Sequence, residues 1–204
     1  EETGNCWTYE RDKRVLNWCR DNQILFHEFP SNGVVRCLAN RDEWSFERNR
    51  RMAQETTPVP KALRPVDAID LGVIPDVKNV FQDLGICREV QQGGRSAGQE
   101  VLTSFVDNRV SQYLKCLSAP GLSEQYASRL SPHLTWGTLS VREVVKTLSQ
   151  YKNNTDPRAL SGLRRSLSAF QSRLSWRCHF IQKLEDQPSI ETKCMHDFFE
   201  GLRE

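Results

Sequence analysis

Between residues 127 and 142 the chain reads Ala-Ser-Arg-Leu-Ser-Pro-His-Leu-Thr-Trp-Gly-Thr-Leu-Ser-Val-Arg, and this stretch holds its best-defined chemistry. Ser128 and Ser131 offer hydroxyl donors, Arg129 offers a forked cation, and Pro132 suits the first position of a helix. A helix start presents unpaired N–H groups and a partial positive charge, which suits phosphate. By pattern alone the same residues also describe an ordinary helix cap with a surface arginine. A second group lies further on. Arg173, Trp176, Arg177 and Phe180 are three and four residues apart, hence on one helical face. Arginine beside an aromatic platform is the pairing that holds backbone phosphate and stacks a base. A core tryptophan flanked by arginines with buried stems is the alternative. Cys178-His179 and Cys194-Met195-His196 match no zinc spacing. The four histidines sit in no nucleophile pattern, and the chain has no phosphate-binding glycine loop.

The elements that must position these groups are mostly helical. Ala97, Val101, Leu102, Phe105, Val106, Tyr113, Leu114 and Leu117 form an apolar stripe up to Pro120. Pro132 to Gly137 reads as a short helix. Ser140 and Glu143 form a capping box for a helix to about Tyr151, dying in Lys152-Asn153-Asn154. Asp156 and Pro157 start another as cap and first residue, running to about Leu184. No strand signal follows residue 95, so residues 95–204 are predicted to be all-α. Residues 1–40 read instead as α/β. Thr8 caps a helix carrying Val15, Leu16, Trp18 and Cys19 and ending near Asn22. Ile24 to Phe29 is a strand closed by the turn Pro30-Ser31-Asn32-Gly33, and Val34 to Leu38 is a strand or loop. Residues 41–94 are linker-like. Arg48 to Arg51 reads as a solvated surface, and Pro58, Pro60, Pro65 and Pro75 break any long periodicity.

With 204 residues and 38% hydrophobic content the chain can bury a core as one large or two small domains. The net charge of +2 implies no global field, but its distribution is uneven. Residues 1–57 carry nine Lys/Arg against ten Asp/Glu, whereas residues 157–184 carry six and no acid. An anionic partner is therefore expected for the C-terminal part alone. Seven scattered cysteines without a C-x-x-C pair favour reduced thiols and an intracellular location, in the cytoplasm or in an organelle or nucleus. There is no apolar run long enough to span a membrane and no signal-peptide pattern. The chain opens on Glu1-Glu2, has only Met52 and Met195, and reads as a segment of a longer protein.

Ser128-Arg129-Leu130-Ser131-Pro132-His133-Leu134, followed by Trp136-Gly137-Thr138-Leu139-Ser140, resembles the FAD-phosphate motif of the DNA photolyase/cryptochrome family. The resemblance implies an α/β remnant of a Rossmann-like antenna domain over 1–40, an interdomain linker over 41–94, and part of an all-α FAD-binding domain over 95–204. It implies that Ser128, Arg129, Leu130 and Ser131 hold the flavin pyrophosphate, with Tyr113 on a phosphate and Phe170 nearer the flavin; by pattern alone Tyr113 reads rather as a buried core residue. It places Trp176 against a flipped-out pyrimidine dimer in DNA, with Arg173 and Arg177 beside it. An antenna chromophore of folate or flavin type is also implied, with Glu1 and Glu2 near a folate contact or, more simply, in an exposed loop. No catalytic residue is assigned to this stretch of chain, no metal, and no obligate protein partner. The sequence departs from the family at Ala127, where threonine is frequent, and at Arg173 and Cys178, where glutamates are frequent. The implied activity is light-driven dimer repair by the parent protein. The alternatives are a non-repairing cryptochrome-type blue-light photoreceptor, an inactive fragment, or a helical nucleic-acid-binding module without flavin.

Overall fold

A computed structural model describes residues 5–30, 33–64, 70, 72–80 and 90–202. Among these residues there are helices and no strand. The helices are α1 (Cys6–Asp21), α2 (Trp44–Met52), α3 (Val77–Val80), α4 (Arg95–Ser104), α5 (Val110–Cys116), α6 (Pro120–Tyr126), α7 (Ser131–Thr135), α8 (Val141–Asn154) and α9 (Pro157–Asp186). A π-helical turn, Phe105–Arg109, joins α4 and α5.

The core forms where α9 lies against α5, with α8 and α2 completing it. Leu167, Phe170, Leu174 and Cys178 recur at helical spacing on α9 and are buried. They meet Phe105, Val106, Val110 and Tyr113 from the α4–α5 side and Val144 and Leu148 from α8. The local starts agree with the sequence. Ser140 Oγ accepts from Glu143 N at 3.1 Å while Glu143 Oε2 accepts from Ser140 N at 2.9 Å. Asp156 Oδ1 accepts from Arg158 N at 2.9 Å, and Pro157 is the first residue of α9. Arg95 then pairs with Glu143 at 2.5 Å and holds the start of α4 to that of α8.

Four sequence expectations are corrected. The cap of α1 is Asn5, with Thr8 as its capping-box partner at the third helical position. Both residue types can cap, and the reciprocal pair decides the start. Ile24 to Phe29 is not a strand: no described residue pairs with it in a ladder, and the segment is exposed without regular structure. The α/β reading of residues 1–40 is thus replaced, over the described part, by one helix and irregular chain. Within the linker-like region, Trp44 to Met52 folds as α2 and puts Trp44 and Met52 into the core. Arg48, expected on a solvated surface, is 8% exposed because α2 lies against the helical body. Glu1, Glu2, Ser31, Asn32, Pro65 and Cys87 lie outside the described residues. The other six cysteines are free thiols. No described helix is long and apolar enough to cross a membrane.

Segment 33–41 is bound to α9 by polar contacts. Gln182, fully buried, accepts from Val35 N at 2.6 Å and donates to Val35 O at 2.9 Å and Asp186 Oδ1 at 2.6 Å. Trp44 Nε1 donates to Gly33 O at 2.8 Å, and Arg51 donates to Val34 O. Gly33 is required by closeness: a Cβ there would collide with the Arg48 stem and press on Cys178 Sγ at 3.3 Å. Arg41 completes the attachment, 2.8 Å from His179 Nδ1 and 3.3 Å from Asp186. Burial, with Arg41 beside it, lowers the His179 pKa from its ordinary value and favours the neutral ring.

Gln182→Leu keeps the volume and leaves both polar groups of Val35 without a partner. It should destabilise the fold by ~1–3 kcal/mol, read as a lower urea midpoint, and expose residues 36–40 to protease. An unchanged midpoint and cleavage pattern would show that this clasp holds nothing.

Candidate functional site

The site is a sharp bend between α6 and α7. Within it Arg129 adopts a left-handed φ of 57°. For a residue with a Cβ that conformation costs about 1–3 kcal/mol and persists only where the surroundings over-determine it. Here they do. Leu130, next in sequence, is 1% exposed and anchors the bend in the core. Gln91 Nε2 donates to Arg129 O at 2.7 Å. Arg109 donates to Ala127 O, to Ser128 O at 3.5 Å and to Val101 O at 2.8 Å. Below the bend, His133 is buried and bonds Thr138 Oγ1 through Nδ1 at 2.9 Å. Gly98 lets α4 approach that ring, since a Cβ there would sit 3.0 Å from His133 Nδ1.

The bend leaves its polar side chains outward. Ser131 is exposed, Ser128 and Arg129 are half-buried, and neither serine hydroxyl has a hydrogen-bond partner among the described residues. Glu124 is the one described carboxylate in ion-pair range of Arg129, at 3.5 Å, and it is largely in water. Such a pair contributes little. Burial first, and the charge of Arg129 second, lower the Arg109 pKa from its ordinary value. The two guanidiniums are thus near enough to repel, and Arg129 has only a weak, exposed carboxylate to offset its charge. A multiply charged oxyanion relieves that repulsion and takes up the free hydroxyls.

Beneath the bend sits an aromatic triad. Phe105 and Phe170 are 4.6 Å apart between ring centroids, Phe105 and Tyr113 5.4 Å, and Tyr113 and Phe170 5.5 Å, all edge to face. Tyr113 is 4% and Phe170 3% exposed. Burial raises the Tyr113 pKa, and the nearby charge of Arg173 partly offsets this. Arg109 lies over the Phe105 ring at 5.6 Å, so triad and bend share one contact. The structure therefore brings together Tyr113, Phe170 and the 128–131 bend, with Arg173 on the neighbouring turn of α9.

Arg173 and Trp176 form an exposed pair, the guanidinium 4.5 Å from the ring centroid, and Trp176 is 50% exposed. Phe180 meets Trp176 edge to face at 6.3 Å. Arg177 turns the other way: it is half-buried and donates to Leu134 O at 3.2 Å, tying α9 to α7. Sequence reasoning missed Arg109, Gln91 and Phe105 as parts of this site. For Arg109 a signal existed, a lone cation four residues from both Phe105 and Tyr113 inside an apolar stripe.

No family model matches the chain, and no solved structure matches it. Two curated proteins are similar in sequence. A deoxyribodipyrimidine photo-lyase from Streptomyces griseus is 30% identical over 136 residues, covering 65% of this chain and 26% of that protein. A deoxyribodipyrimidine photo-lyase from Halobacterium salinarum is 28% identical over 146 residues, covering 70% of this chain and 28% of that protein. The chain spans about a quarter of the length of these relatives.

Arg109→Met should free the carbonyls of Val101, Ala127 and Ser128 and let Arg129 relax from its left-handed conformation. Loss of charge-assisted hydrogen bonds is worth on the order of 1.5–3 kcal/mol. The expected readings are a lower denaturation midpoint and new protease cleavage between Tyr126 and Ser131, with Arg109→Lys only partly restoring either because it lacks the fork. A variant as stable and protease-resistant as the native chain would refute the role.

Proposed function

This chain is related to the DNA photolyase/cryptochrome family, and on that premise we propose that its protein binds FAD and carries out photolyase-like repair of pyrimidine dimers in DNA. The observation that carries the proposal is the bend itself: a strained Arg129 between two serines with free hydroxyls, near a second cation, Arg109. These residues fit a pyrophosphate. Ser128 and Ser131 would donate hydroxyls to its oxygens, Arg129 would compensate its charge, and Leu130 would fix the loop from below. When bound, FAD supplies the light-driven electron donation that splits a dimer. The chain's own part is to hold the phosphates, keep Tyr113 and Phe170 packed beside the cofactor, and present Trp176 to an extruded base.

Residues 95–204 are assigned to a FAD-binding helical domain on this reading. Residues 1–40 are assigned to the border of a domain bearing a folate or flavin type antenna. The apolar side chains that α1 leaves uncovered, Trp7 at 65% and Trp18 at 58% exposure, suit such a border. A cryptochrome-type photoreceptor is the second reading, favoured by Arg173. At that place an acceptor would bond a dimer's N–H groups, whereas a guanidinium stacked on Trp176 accepts nothing.

Replacing Ser128 and Ser131 by Ala and Arg129 by Glu should remove bonds to charged oxygens worth roughly 1.5–3 kcal/mol each, and the purified intact protein should lose its flavin absorption. Retained stoichiometric flavin in that variant would sink the assignment. Trp176→Ala should weaken binding to dimer-containing DNA by ~1–3 kcal/mol of lost stacking and leave undamaged DNA nearly unaffected. Equal loss on both would remove Trp176 from the damage site, and full binding without light-dependent repair would select the photoreceptor.

A further inference from the structure

The buried residues of α9, from Ser166 through Leu167, Phe170, Leu174 and Cys178 to Gln182, define one side of a 30-residue helix. Its opposite side has a sequence order of its own. Arg158, Arg165, Ser172, Trp176 and Lys183 are separated by seven, seven, four and seven residues. At about 3.6 residues per turn these intervals return to nearly the same direction, so the five residues form a line along the rod. Arg158, Arg165, Ser172 and Trp176 are exposed, and Lys183 is half-buried at the far end. Among the described residues, neither Arg158, Arg164 nor Arg165 has an ion-pair partner. A shallow hollow floored by Leu114 and Ala169 opens beside Arg164, Arg165 and Ser168.

A merely solvated helix face mixes charges of both signs. This one carries cations alone between Pro157 and Leu184, and it carries an exposed aromatic platform at Trp176 and Phe180. The acids stand at its two ends, Asp156 as the cap and Glu185 and Asp186 at the close. Cations at regular intervals on a rod, leading to a ring on which a base can stack, match the backbone of a nucleic acid lying along that rod.

We propose that α9 is a phosphate-tracking face: Arg158 and Arg165 bind the DNA backbone on one side of the base held at Trp176, and Lys183 binds it on the other. The proposal rests on the DNA-binding reading given above and adds a direction to it. With a rise of about 1.5 Å per residue, Arg165 stands ~16 Å and Arg158 ~27 Å from Trp176 along the axis, while Lys183 stands ~10 Å away on the other side. At 3.4 Å per base pair along each strand these distances are about 5, 8 and 3 base pairs. The footprint is therefore lopsided, long towards the start of α9 and short towards its end.

The test uses the intact protein and duplexes, undamaged or bearing one cyclobutane dimer, whose two arms are varied separately. Lengthening the arm on the Arg158 side from about 3 to about 10 base pairs should raise affinity about tenfold, while lengthening the other arm beyond about 4 should add little. In Arg158→Glu/Arg165→Glu that gain should disappear on both kinds of DNA, and the slope of log affinity against log salt should fall by about 2. Binding to the short-armed duplex and thermal stability should stay as in the native protein. An undiminished gain in the double variant, equal dependence on both arms, or no dependence on either overturns the proposal. A lopsided, Arg158- and Arg165-dependent gain without any preference for the dimer sustains the face and overturns the repair reading instead. Dimer preference that depends on Trp176 but not on arm length does the reverse.

Discussion

One guanidinium, that of Arg109, is the constraint on which the bend and the triad both depend. A cation inside an apolar rod pays heavily in desolvation unless its donors are used. Its terminal nitrogens donate to backbone carbonyls, those of Val101, Ala127 and Ser128, while Nε has no partner among the described residues. That choice fixes two things together. It closes the wide π turn of α4–α5 against the incoming chain, and it holds the residues before Arg129 in the path that requires a left-handed conformation there. Arg129 then has no helix to continue and turns outward. Because Arg109 bonds carbonyl dipoles and no carboxylate among the described residues, its charge is left uncancelled near that of Arg129. A carboxylate at the same place would stabilise the loop equally well and abolish the attraction for an anion.

The π turn matters for the same reason. An α-helix of uniform pitch would set Phe105 and Tyr113, eight residues apart, about 80° from one another around the axis. The extra residue in the turn underwinds the rod, and the two rings return to one side and stack at 5.4 Å with Phe170 closing the triad. Segment 33–41 depends on a different device. Gln182 acts toward Val35 as an edge of sheet would, giving one donor and taking one. It binds irregular chain to a helix without any strand among the described residues.

Much of the helical part was legible because its signals are local. The capping box at Ser140 and Glu143, the Asp156-Pro157 start and the three-and-four spacing on α9 involve residues within a turn of one another, and sequence shows such neighbours directly. The 128–131 motif was legible as a motif. What makes it strained and cationic was not, since Gln91 and Arg109 reach it from 38 and 18 residues away. The misread strand at Ile24 to Phe29 has the opposite cause. An extended apolar run reports a preference for pairing, and pairing needs a partner that no single stretch contains. Arg48 was misread because three arginines in four residues suggest solvent, while α2 is amphipathic enough to bury one stem with Trp44 and Met52. For Arg177 the spacing gave the face correctly to within one residue, and a single residue is a rotation of about a quarter turn.

That quarter turn shapes how the two halves of the site can work together. Trp176 and Arg177 are consecutive, so one points to solvent while the other crosses to α7 and takes Leu134 O. Two turns of helix before them, Phe170 lies in the triad, and between them Arg173 acts both on Tyr113 and on the Trp176 ring. The bend at 128–130 is itself irregular chain, but it is held against α9 at more than one point. Bend and platform are both tied to one rigid segment, residues 170–177 of α9: the bend through Arg177 on Leu134 O and through Phe170 against Phe105, the platform through Trp176 itself, with the inner side fixed by the packing of Leu174 and Cys178. A helix in a close-packed core permits rotation or translation only at the cost of opening cavities. On the proposed reading, the separation between phosphates held at the bend and a base stacked on Trp176 would be set by the inward packing of α9, not by either ligand.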